Sequence, residues 1–128
     1  MATYLFCWEL GQGLGHLVRY KALIDQLIDR GHRVHYLARD AERVRLVNPQ
    51  NSLHIEEIQP EFTAKEKRIK QPANASPATL LLNCGFFSAE RLAARAEQWI
   101  KRIRDIKPSC IITDHSPTAV FANKFLNY

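Results

Sequence analysis

Apolar positions along the chain fall into short continuous runs that alternate with amphipathic stretches. Residues 2 to 8 form a nearly unbroken apolar run rich in β-formers, the pattern of a strand buried on both faces. Leu17, Tyr20, Ile24, Leu27 and Ile28 then recur at helical spacing, with Arg19, Lys21, Asp25, Gln26 and Asp29 opposite them, and Gly31 closes the helix. Val34 to Ala38 predicts a second strand and Leu53 to Ile58 a third, with a short polar helix or turn around Ala41 to Val47 between them and Asp40 as its cap. Residues 59 to 77 change character: Pro60, Pro72 and Pro77, a charged cluster and Asn74 predict a long surface loop. Ser88 caps a helix on which Leu92, Ala96, Trp99, Ile100, Ile103 and Ile106 keep helical period until Pro108 stops it. Cys110 to Thr113 predicts a fourth strand, and Thr118 to Leu126 a last helix with Pro117 in its first turn.

Strands that alternate with helices imply a parallel sheet with right-handed crossovers. The expected fold is therefore α/β, a Rossmann-like doubly wound parallel sheet with strand order 3-2-1-4. Four strands and a final helix leave one edge of such a sheet uncovered. The expectation is accordingly one domain, 1–128, incomplete at the C-terminus and forming the first portion of something longer, with an apolar patch beside the fourth strand.

Composition narrows the partners. The chain has 128 residues, 46% of them apolar, enough for a core. Its 18 Lys and Arg against 13 Asp and Glu give a net charge of +5, but charges of both signs are scattered, so nucleic acid is not an expected partner. Part of the basic excess lies in Lys65, Lys67, Arg68 and Lys70, and more in the helix carrying Arg91, Arg95, Lys101, Arg102, Arg104 and Lys107. A solvated face accounts for it, with an anionic membrane surface as the functional alternative. Cys7, Cys84 and Cys110 are odd in number and set in apolar runs, which implies buried thiols rather than disulfides or a metal site. No signal peptide or membrane span is legible at the N-terminus, so the expected location is cytoplasmic.

The chemistry concentrates in Glu9-Leu10-Gly11-Gln12-Gly13-Leu14-Gly15-His16, three glycines and a histidine between a strand and a helix. Glycine permits positive φ and close approach of a ligand to bare backbone, and the amides that open the helix favour anionic groups. In the order 3-2-1-4 the first and fourth strands are neighbours, which brings the loop of His16 beside the loop of Asp114. A carboxylate there fixes the imidazole tautomer and makes the histidine a better general base toward a hydroxyl. The plainer alternative has His16 packing at the helix start and Asp114 capping the last helix.

Two segments also carry a family resemblance. Trp8 to Asp40 with its GxGxGH turn, and Lys107 to Asp114 followed by Ser116-Pro117-Thr118-Ala119, resemble the N-terminal domain of nucleotide-sugar glycosyltransferases of two-Rossmann-domain (GT-B) architecture. They are similar to the group of UDP-glucuronosyltransferases and related glucosyltransferases. The resemblance implies that His16 is the base and Asp114 orients it. The glycine loop ending in His16 is also similar to that of the lipid-linked N-acetylglucosaminyltransferase of peptidoglycan synthesis. By this resemblance Gly11, Gln12, Gly13, Gly15 and Ser116 bind substrate and diphosphate. The partners implied are a nucleotide-sugar donor, held mainly by an absent C-terminal domain, and an acceptor that includes lipid among its candidates. A peripheral contact with the inner face of the membrane is implied as well. No cofactor and no metal are expected, and the chain by itself is expected to be inactive.

A dinucleotide-binding Rossmann domain is the alternative, with Asp40 as the ribose-binding acid, but the fingerprint GxGxxG fails because His16 stands where its last glycine belongs. A half-domain that needs a partner to act is the third reading. His115 is expected to line the acceptor pocket or to be exposed, His32, His35 and His54 to be structural, Trp99 to lie in the core, and Trp8 to reach a ligand at the loop.

Overall fold

A computed structural model describes residues 1–58 and 76–127. Its elements are β1 (Thr3–Trp8), α1 (Gly15–Asp29), β2 (Arg33–Ala38), α2 (Ala41–Val47), β3 (Leu53–Glu57), α3 (Pro77–Asn83), α4 (Ala89–Ile106), β4 (Cys110–Asp114) and α5 (Pro117–Leu126). The four strands are parallel and ordered β3-β2-β1-β4, as the alternation of elements anticipates. The fold is thus α/β and Rossmann-like.

Period-two alternation splits each central strand between two cores. Phe6 and Trp8 of β1 with Val34, Tyr36 and Ala38 of β2 pack under Leu17, Ile24 and Leu27 of α1 and Val44 of α2. Leu5, Cys7 and Leu37 face the other way, against Trp99 and Ile103 of α4 and Ala119 and Ala122 of α5. Trp99 is a core residue, as expected.

The helix boundaries follow their local chemistry. Asp40 caps α2 by accepting from the Arg43 amide, and Ser88 caps α4 by accepting from the Arg91 amide. α4 ends on Lys107 in the left-handed region, one residue before Pro108. The loop expected over 59–77 lies outside the described residues except at its end, where Ser76 forms a capping box with Thr79 and Pro77 opens α3. This short helix, with no buried residue, has no helical stripe to reveal it in the sequence.

Two expectations need correction. Of the three cysteines only Cys7 is buried; Cys84 is half-buried and Cys110 exposed, because β4 is an edge strand whose outer flank carries no neighbour among the described residues. The basic stripe of α4 is not wholly solvated either. Arg95 is buried, and its guanidinium pairs with Glu9 at 3.4 Å, donates to the Cys84 carbonyl at 3.2 Å and lies over the Phe86 ring. No described helix is long and apolar enough to cross a membrane.

Candidate functional site

Parallel strands deliver their C-terminal ends to one edge, and at this edge β1 and β4 end side by side, with Trp8 opposite Asp114 in register. Asp114 lies two residues beyond Ile112, which packs against the α1-side core, so its carboxylate leaves the strand toward the start of α1. His16, the second residue of α1, meets it there. Nδ1 of His16 lies 3.0 Å from Oδ2 of Asp114, a pair formed across the whole described chain. Asp114 is buried and the imidazole only partly exposed. Asp114 makes no cap of α5, whose N-cap Ser116 gives no side-chain cap bond.

With Nδ1 turned to the carboxylate, Nε2 points at Gly11. A Cβ built on Gly11 would lie 2.5 Å from Nε2, and Gly11 has φ +91°. Glycine is therefore required here twice, for a backbone that L side chains avoid and for room beside the imidazole nitrogen. Two arginines fasten the loop from the β2–α2 side: Arg39 donates to the Gly11 carbonyl at 3.2 Å and Arg43 to that of Gln12. Gly13 accepts from the His16 amide at 3.4 Å, and Gly15 is the first residue of α1.

The β4 side is fastened equally firmly. The Leu10 amide donates to the His115 carbonyl at 2.9 Å, tying the glycine loop to the turn after β4. His115 has φ 45°, in the left-handed region, and its ring lies 4.5 Å from that of His16. It is exposed, as expected. Ser116, expected on the binding surface, is buried, and its hydroxyl donates to the Asp114 carbonyl at 3.1 Å. Trp8 is corrected as well: it is fully buried, its indole N–H donates to the Leu10 carbonyl at 2.8 Å, and its ring lies 6.3 Å below that of His16. It supports the imidazole from within and has no surface to offer a ligand.

One participant escaped sequence reasoning. Glu9, at the end of β1, is buried and accepts from the Thr118 amide at 2.9 Å and the Thr118 hydroxyl at 2.5 Å, as well as from Arg95. It thereby satisfies the first turn of α5 from another strand. Burial pushes its carboxyl above the ordinary value, against the bonds from Thr118 and the charge of Arg95. The signal in the sequence was an acidic residue directly after a nearly unbroken apolar run, with an arginine on the apolar side of a later helix.

Asp40 is engaged as the α2 cap and pairs with Arg43 at 3.1 Å, which leaves it poorly placed to serve a ribose. His32 accepts from the Ala2 amide, and His35 stacks on His54, in keeping with structural roles.

No family model and no curated protein matches the chain. Among solved structures, MurG of Acinetobacter baumannii is similar, with 18% identity and a TM-score of 0.66 over 98% of this chain and 33% of that one. At that identity the likeness is one of fold, and the chain spans about a third of the length of the structure it matches.

Proposed function

We propose that the chain is the acceptor-side half of a glycosyltransferase that moves a sugar from a nucleotide-sugar to an acceptor hydroxyl. The observation that carries this reading is the His16–Asp114 hydrogen bond above a glycine loop at the carboxyl edge of a parallel sheet. The fold likeness to MurG is in keeping with the motif resemblance to the lipid-linked N-acetylglucosaminyltransferase.

In this reading Asp114 holds the proton of His16 on Nδ1, which leaves the Nε2 lone pair beside Gly11 to accept the proton of an acceptor hydroxyl. The hydroxyl oxygen attacks the anomeric carbon as the bond to the nucleoside diphosphate breaks, and the diphosphate leaves with that electron pair. The imidazolium formed is stabilised by the buried carboxylate. Loop backbone at Gly11, Gln12, Gly13 and Gly15, with the opening amides of α1, faces the diphosphate. Ser116 acts by holding the Asp114 backbone. The donor's nucleoside is held by a further domain, and the acceptor class includes lipids, which brings a peripheral membrane contact and a cytoplasmic location into the same proposal.

The test is sugar transfer from a panel of UDP-sugars to lipid-linked and small alcohol acceptors, measured for the chain alone and with a GT-B donor domain supplied in cis or in trans. Transfer is expected only with the donor domain, and His16→Ala should lower turnover about 10²–10⁴-fold with little change in donor affinity. Transfer that survives His16→Ala contradicts the reading.

A further inference from the structure

His115 has no part in the proton transfer, yet its ring is held over that of His16 by a backbone in the left-handed region and by a carbonyl fixed to the Leu10 amide. One ligating atom each from His16, Asp114 and His115 lies within 4.8 Å of the others. This is a two-imidazole, one-carboxylate set on two adjacent loops, with a buried carboxylate and a partly buried imidazole at its base and an exposed imidazole at its mouth.

We propose that His16, Asp114 and His115 form a binding site for a divalent transition-metal ion of the Zn2+ class, and that the bound ion switches off His16 as a base. Nδ1 of His16 and Oδ2 of Asp114 are 3.0 Å apart, so an ion bonded to both at ~2.1 Å subtends an angle of roughly 90°, within reach of the distorted tetrahedral or higher geometries such ions accept. The exposed side of His115 supplies the third ligand, and solvent completes the shell. Two imidazole nitrogens favour Zn2+ and Co2+ over Mg2+ and Ca2+, which prefer all-oxygen shells.

The consequence for His16 follows from the proton count. The ion takes the Nδ1 lone pair in place of the Nδ1–H bond to Asp114, so the single proton of the neutral ring resides on Nε2. That nitrogen then has no lone pair to receive a proton from an acceptor. This second half rests on the transfer reading above; the binding half does not.

The test is titration of the chain with Co2+, followed by its visible absorption, and with Zn2+ by calorimetry, using Mg2+ as the comparison ion. One ion per chain is expected for Co2+ and Zn2+, with no response to Mg2+. His115→Asn, in which the side chain tolerates a left-handed backbone, should weaken Co2+ and Zn2+ at least tenfold, and Asp114→Asn should do the same. His54→Ala, which breaks the stacked His35–His54 pair, should leave affinity unchanged. Absence of saturable Zn2+ binding, equal affinity in His115→Asn, or loss of binding in His54→Ala would each overturn the site. Because binding is read without substrate, failure of the metal site leaves the transfer reading standing, and transfer surviving His16→Ala leaves the metal result intact.

Discussion

Two pairs of neighbouring histidine rings differ in everything except their spacing: the first is tilted at 56° and the second stacked at 22°. His16 and His115 lie 4.5 Å apart on the loops at the carboxyl edge, beside the buried carboxylate of Asp114. His35 and His54 lie 4.8 Å apart in mid-strand, paired in register on the α4-facing side. The first pair has an acceptor for its N–H, a glycine that opens space at the other nitrogen, and solvent at its mouth. The second leaves Nδ1 of His35 buried with no hydrogen bond. Burial, and then electrostatic repulsion from the neighbouring His54, hold the His35 ring below its ordinary pKa. The reactivity proposed for His16 thus rests on the strand end and its loops rather than on the imidazole alone.

The widest gap between the pairs is expected in transfer itself. His16→Ala should cost about 10²–10⁴-fold in turnover, whereas His54→Ala should cost nothing measurable in the same assay. A loss in both would mean that the effect is structural.

Next comes the frame that holds the first pair. Glu9 joins the end of β1 to α5 with the help of Arg95, so Arg95→Leu should destabilise the chain by about 3 kcal/mol in urea unfolding. The value stays at the low end because Glu9, already inclined to hold a proton, can neutralise itself. Ring signals of His16 and His115 should shift in this variant, while those of His35 and His54 should not.

Gly11→Ala should cost about 1–3 kcal/mol, since the new methyl group meets both a positive φ and the Nε2 atom of His16. Its effect on transfer should exceed its effect on folding, because the displaced ring is the proposed base.

The smallest effect belongs to the second pair and appears as a pH dependence. The folded chain keeps His35 neutral, so its folded pKa lies below the ordinary 6.5 and the unfolded chain binds the additional proton between the two values. Stability contributed by this group is full above 6.5 and is lost as the pH falls through that window. His35→Leu should flatten the fall in urea midpoint on acidification, and an unchanged slope would argue against this origin.

Much of this was legible beforehand because apolar periodicity survives in the fold. β1, α1, β2 and α4 each carry an uninterrupted stripe or run, and strand order then placed Asp114 beside His16 from residue type and topology alone. Illegible were the features that depend on what a side chain meets across the molecule. Arg95 falls on the apolar side of α4 by spacing, but the sequence does not name its partner, and only its position above the end of β1 pairs it with Glu9. Trp8 reads as a loop neighbour, but alternation buries it beneath the imidazole. Cys110 reads as buried because it opens an apolar strand, and its place at the sheet edge is what exposes it.

The proton on His16 is the most direct measure of the account, since a base at Nε2 requires the ring to carry its hydrogen on Nδ1 toward Asp114. Nitrogen-15 NMR of the imidazole, recorded where the ring is neutral and in the presence of a chelator, distinguishes the two tautomers. The Nδ1–H form is predicted in the unaltered chain, with the preference lost in Asp114→Asn. A predominant Nε2–H form in the unaltered chain, or a tautomer indifferent to Asp114→Asn, would contradict the dyad and with it the proposed chemistry.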